Sequence, residues 1–207
     1  MISKYTYHLK LAAFLFFILS TLRCKTQNSL DFGEIRAEKE FSCDYKFRQR
    51  ERACGLESIC KSKDTLEVRL FVGFPPGPSW VFFKLTFNNG KWEGQKFLYN
   101  LGWKSFDSLR PIKVFSLIPK TCFDSIYADL KRNRVFTLPS QQELNVKYLI
   151  SDGSQYVLMF KAGKCFRFYG FNNPEIYSEA YKNIKEFEFY QNIAEIFESK
   201  FEIKPIE

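Results

Sequence analysis

The sequence predicts an α+β fold, an antiparallel sheet built from hairpins with helices packed on one face. Three observations predict it. Apolar residues alternate with polar ones over several runs, as in "LEVRLFV". Turn dipeptides, Asn89-Gly90 and Asp152-Gly153, stand between such runs. Helix-periodic stretches follow the strands instead of alternating with them one by one. Segregated runs of strands and helices mark α+β and argue against a parallel α/β sheet.

The elements follow in order. Leu66, Val68, Leu70 and Val72 share one face of the first strand and Glu67 and Arg69 the other, the pattern of a half-buried strand. The segment "FPPGPSW" ends it, because clustered Pro and Gly cannot stay in a central ladder. Val81, Phe83, Leu85 and Phe87 alternate in the next strand, and Asn89-Gly90 supplies the positive φ angles of a tight hairpin. The chain returns from Lys91 to about Tyr99, with Trp92 placed to pack across the hairpin. "IKVFSLI" is a further strand, ended by Pro119. Phe123, Ile126, Tyr127 and Leu130 then recur at helical spacing. Thr121 and Asp124 resemble a capping box at the start of that helix, and Lys131 and Arg132 sit where cations suit its dipole. "VKYLISDGSQYVLMFKAGKCFRFYGF" reads as three strands joined by turns at 151–154 and 162–163. Asn173 as N-cap, Pro174 and Glu175 open a helix. A last helix spans roughly 185–200, with Tyr190, Ile193, Ile196, Phe197 and Phe201 as its apolar stripe.

The amino terminus sets the compartment. Lys4 and Lys10 precede an apolar run from Leu11 to Leu22, too short for the ~20 residues of a spanning helix. A basic n-region before a run of this length reads as a secretory signal. Cys24 follows where a lipoprotein signal places its acylated residue, although Thr21, Leu22 and Arg23 depart from the aliphatic and small residues such a site uses. Lipid anchoring at Cys24 is the favoured reading, with plain secretion and an uncleaved anchor as the alternatives; all three place the domain outside the cytoplasm. The organisation is therefore a signal peptide over 1–23, a tether over 24–40 with a short helix at 33–40, and a single domain over 41–207.

Charge and cysteines narrow the chemistry. Loss of Lys4, Lys10 and Arg23 lowers the formal charge from +8 to +5, a weak preference for anionic surfaces. No nucleic-acid module accompanies it, and nucleic-acid binding is not expected. Lys46, Arg48, Arg50 and Arg52 would share one face of a strand, either as a basic stripe for an anionic partner or, as favoured, as a solvated face interleaved with Asp44 and Glu51. Cys43, Cys54 and Cys60 crowd one charged segment, and an oxidising compartment favours one bridge among them, Cys54–Cys60 closing the shortest loop. Cys122 and Cys165 read as lone thiols.

His8 is the only histidine and lies in the signal. Ser-His-Asp and Cys-His catalysis, His metal sites and His pH switches are thereby excluded from the mature chain. No cysteine pair has zinc spacing, the glycines form neither a P-loop nor a dinucleotide fingerprint, and "SDGSQ" offers one carboxylate where a calcium loop needs several. No cofactor and no metal are expected. A carboxylate pair needs only to meet in space, but Asp107, Asp124, Asp152 and Glu175 are each explained by a loop, cap, turn or first-turn position. Trp80, Trp92, Trp103 and Tyr156 could stack on sugars, with core packing as their default role. No catalytic residue is assigned.

The segments "LEVRLFV", "FFKLTFNNGKWEGQKF", "ADLKRNRVFTLPSQ", "ISDGSQYVLMFKAGKCFRFYGFNNPEIYSEAYKN" and "IAEIFESKF" resemble a family of uncharacterised exported, often lipid-anchored proteins of Gram-negative bacteria. The most specific block is "DGSQY" with "FRFYGFNNPEIY". The resemblance implies export and a single α+β domain, and it brings no site residues. The expectation is a non-enzymatic envelope protein, held to the membrane through a lipid and acting through an unknown protein partner or as a structural accessory. An inhibitor or immunity-type protein and a His-free carboxylate hydrolase are the alternatives.

Overall fold

The structure, a computed structural model, describes residues 30–36, 48–53, 55–73, 79–100, 113–147 and 152–205. The segment expected to be a signal, Cys24, Cys43, Cys54, Trp103 and Asp107 lie outside the described residues.

Period-2 runs give seven strands: β1 (Leu66–Gly73), β2 (Ser79–Asn88), β3 (Lys91–Asn100), β4 (Lys113–Pro119), β5 (Gln155–Ala162), β6 (Cys165–Asn172) and β7 (Phe201–Pro205). They form one sheet in the order β6-β5-β1-β2-β3-β4-β7, each neighbour antiparallel. Asn89 and Gly90 take φ of 50° and 75°, the paired positive angles the β2–β3 hairpin requires. Phe87 faces Trp92 across it with ring centroids 4.9 Å apart.

The helices are α1 (Arg48–Ala53), α2 (Phe123–Arg132), α3 (Pro174–Ala180) and α4 (Lys185–Ser199), with short 3-10 turns at Ile59–Lys61 and Gln141–Leu144. The three longer ones bury apolar stripes in one core with the inner face of the sheet: Ile126 and Leu130 from α2, Tyr177 from α3, and Phe187, Tyr190, Ile193 and Phe197 from α4, against Leu70, Phe83, Leu158 and Tyr169. Each such burial is worth roughly 1.5–3 kcal/mol. The opposite, outer face holds a second cluster, with Phe71, Phe82, Met159 and Phe166 under Ile59.

Several local expectations are corrected. β1 is buried at every position, not half-buried. Glu67 and Arg69 tolerate this because the Arg69 guanidinium bonds to both Glu67 and Glu51. Arg48–Ala53 is a helix, not a strand, so residues two apart do not share a face. Arg, Gln, Glu and Ala are good helix formers, and Glu51 is fully buried instead of solvated because it anchors this helix to Arg69. The N-cap of α2 is Cys122, whose sulfur accepts from Ser125 N at 3.4 Å, and not Thr121. Asn173 is the N-cap residue of α3 as expected, its carbonyl accepting from Tyr177 N at 3.1 Å, but its side chain makes no capping bond: it accepts from Ser154 N and donates to the Asp152 carbonyl, both at 2.9 Å, closing the turn before β5. Val146 and Lys147 are not strand, and 148–151 lie outside the described residues. Phe201 leaves the helical stripe, because α4 ends at Ser199 and Phe201 pairs with Pro119 at the start of β7.

Part of the expected tether is docked. Leu30 is buried in the main core, and the Asp31 carbonyl accepts from the Tyr127 hydroxyl and the Lys131 ammonium, both at 2.7 Å. Gly33 to Arg36 contain no helix.

Candidate functional site

At one end of the sheet, where Gln155 pairs with Asn172, the turn Gln141–Leu144 lies along the edge strand β6. Two side chains hold it there. Ser140 Oγ accepts from Gly170 N at 3.1 Å, and Gln141 Oε1 accepts from Asn172 N at 2.8 Å. These bonds satisfy backbone donors that an edge strand would otherwise leave open. The turn is fixed in its own right by a reciprocal capping box between Ser140 and Glu143. Glu143 also takes ion pairs from Arg36 and from Arg167, the latter at 3.2 Å.

Between this turn and the sheet lies a cleft of about 430 Å³, lined by Ser140, Gln141, Gln142, Gln155, Tyr156, Val157, Phe168, Gly170, Phe171 and Asn172. No carboxylate, amine or guanidinium lines it. Its polar groups are amides and hydroxyls, set among three aromatic rings. Gly170 keeps the floor open, since a Cβ there would meet only the Tyr156 carbonyl, at 3.6 Å. Gln141 is 3% exposed and its Nε2 has no hydrogen-bond acceptor. A buried amide donor left unmade costs about 1–3 kcal/mol.

Beside the cleft, on the inner face, the Tyr156 hydroxyl donates to Glu198 Oε1 at 3.1 Å. Desolvation lifts the Glu198 carboxyl above its ordinary range, against the lowering hydrogen bond from Tyr156 and with a further push from Glu175. Tyr156 is held protonated, first by burial and then by Glu198. Lys96, over the Phe83 ring at 5.2 Å, is lowered by desolvation, with Glu198 working against that shift. Glu198 itself remains exposed, so solvent screens the cluster.

The structure places the residues singled out from sequence as follows. Trp92 packs between Phe87 and Phe123, and its Nε1 donates to Asp124 at 2.9 Å. Asp124 therefore serves α2 and the hairpin. Asp152 sits in the Asn173-closed turn, and Glu175 opens α3. Of the proposed stacking residues that are described, Tyr156 reaches the cleft and Trp80 and Trp92 do not line it. Cys60 is disulfide-bonded. Cys122, expected as a lone thiol, is disulfide-bonded as well, while Cys165 is free and half-buried. Gln141, Lys96 and Glu198 were not foreseen. No periodic pattern marks a residue whose role comes from the strand it lies across.

Among the described residues no group of His, Cys, Asp and Glu is placed to hold a metal ion, and no helix is long and apolar enough to cross a membrane. The fold and cleft together define an α+β domain with an uncharged, amide- and aromatic-lined groove at one end of its sheet. Comparison with protein-family models, curated proteins and solved structures finds no match for this chain.

Proposed function

We propose that the protein is an exported, non-enzymatic envelope protein, anchored through Cys24 and acting by contact with another protein. The cleft carries the contact reading. It offers hydrogen-bonding amides and aromatic surface, with no carboxylate, amine, imidazole or guanidinium among its lining residues. That set matches the neutral donors and acceptors of an extended peptide segment better than it matches a reacting bond. Disulfide-bonded Cys60 and Cys122 support the exported location, since such bonds persist in oxidising compartments.

The test is site-specific photo-crosslinking in intact cells from Gln142, which lines the cleft and is exposed. One discrete adduct is expected, lost when Gly170→Leu fills the floor. Equal crosslinking in that variant would refute the reading. The hydrolase alternative rests on the raised Glu198 carboxyl beside Tyr156. It requires a hydrolytic activity that Glu198→Gln abolishes, and the contact reading expects the crosslink to survive that substitution.

A further inference from the structure

The two ends of the sheet differ in charge. At the end opposite the cleft, the described strand junctions each carry an exposed lysine: Lys63 before β1, Lys91 at the start of β3, Lys120 after β4, Lys164 in the β5–β6 turn and Lys200 before β7. The pairings Leu66 with Ala162, Asn88 with Lys91, Ala162 with Cys165 and Pro119 with Phe201 place these junctions at one end. Gly163 N bonds to the Thr65 carbonyl at 3.0 Å and Lys120 N to the Lys200 carbonyl at 2.9 Å, drawing the loops together in pairs. The acids at this end are Asp31, paired with Lys131, Asp124, which accepts from Trp92, Asp64, half-buried and accepting from Ser62, and the exposed Glu93 and Glu202. The cleft end carries Asp152 and Glu175 together with exposed Lys113, which opens β4 opposite Leu98.

The amino-terminal segment enters at the basic end. Asp31 is held by Tyr127, whose ring lies 5.6 Å from Trp92, the residue after Lys91. Phe32 packs on Phe136, which packs on Phe160 near the close of β5. Only positions 25–29 separate Cys24 from the buried Leu30. Six extended steps of chain reach at most about 20 Å.

We propose that this lysine-rimmed end is a membrane-apposed face, seated on anionic phospholipid headgroups, with the cleft held away from the bilayer. The proposal rests on the lipid anchor at Cys24. A short leash keeps the basic end near the surface, and a lysine near an anionic leaflet adds to a lipid anchor as a second attachment. The cleft then stands roughly 20–25 Å higher, the length of an eight-residue strand.

The test uses the mature protein reconstituted on vesicles of phosphatidylcholine with about 30% phosphatidylglycerol, a common anionic surface, with an energy acceptor on the lipid headgroup. One variant keeps only Trp92, at the basic end, and another only Trp80, which pairs with Gly73 at the far end. Transfer from Trp92 should exceed that from Trp80 severalfold, and raised salt or neutral vesicles should reduce the difference. Charge reversal at Lys63, Lys91, Lys120 and Lys164 should abolish it, while reversal at Lys113, Lys147, Lys182 and Lys185 should leave it intact. Equal transfer from both tryptophans, or equal effects of the two lysine sets, overturns the proposal. Mass spectrometry of the amino terminus reports separately on the anchor: an unacylated chain that still binds anionic vesicles by the same lysines refutes the anchor and keeps the face.

Discussion

Replacing Arg69 by methionine tests what holds the outer face of the sheet. Arg69 is 2% exposed, Glu67 1% and Glu51 fully buried. Its guanidinium pairs with both carboxylates and donates to the Glu57 carbonyl at 3.0 Å. Methionine removes the shared cation from two buried acids. Arg48 at 3.1 Å from Glu51 and Lys84 at 3.6 Å from Glu67 compensate only in part. Breaking a buried pair costs about 3–5 kcal/mol, and the remaining cations place this site near 3. For a chain of this size that is a fall in Tm of roughly 6–12 °C. Urea unfolding monitored by tryptophan fluorescence measures it. The control is Arg132→Ala, whose side chain is 74% exposed and pairs with Asp129; it should cost under about 1 kcal/mol. The combined change of Glu51, Glu67 and Arg69 to leucine, leucine and methionine should recover most of the loss, because well-packed apolar groups replace buried ions at little cost. Equal effects of the Arg69 and Arg132 substitutions would refute the reasoning, and so would a triple variant weaker than the single one.

The other predictions concern separate sites. Gly94→Ala should destabilise by about 1–3 kcal/mol, because its Cβ would lie 2.9 Å from Leu117 Cβ between β3 and β4; unfolding midpoints decide it. Alkylation of the native protein without reductant should modify Cys165 and spare Cys60 and Cys122, as peptide mapping would show. Carbon NMR should find the Glu198 carboxyl titrating above its ordinary value, and Tyr156→Phe should raise it further by removing the hydrogen bond that lowers it. Because the folded state holds that proton more tightly, the stabilisation from Glu198 is present at acid pH. It is lost as pH rises from the ordinary glutamate value through the raised one.

The fold was legible where one local rule acted alone. Alternation placed β1 and β2, Asn89-Gly90 placed the central hairpin, turn residues placed β5 and β6, and periodicity placed α2 and α4. Errors arose where a distant partner decided the outcome. Glu67 and Arg69 read as a wet face, but Glu51, far away in sequence, made their burial tolerable. Phe201 fits a helical stripe and a strand equally well, and pairing with Pro119 chose the strand. Asn173 stands at the N-cap of α3 as its sequence position predicts, yet the turn before β5 claimed its side chain. The cleft was least legible, since Ser140 and Gln141 matter through backbone donors of β6 that only the tertiary fold brings beside them.

The positions of the docked Leu30 segment and the cleft follow from one feature of topology. In an antiparallel sheet, successive connections alternate between the two ends of the strands. The β2–β3 and β5–β6 turns, the close of β4, the start of β7 and the docked segment from Leu30 gather at one end, so lysines scattered along the sequence converge there. The turn closed by Asn173 and the Gln141 segment converge at the other end. Arg36 links the two ends, since the segment that enters at the basic end pairs through it with Glu143, the residue that caps the cleft turn. Glu143→Gln should therefore loosen the turn while leaving the Asp31–Lys131 contact in place. Hydrogen exchange would show this as faster exchange at Gly170 and Asn172 with no change through α2. Faster exchange throughout α2 would mean that the two ends unfold together and that the link from Arg36 is incidental.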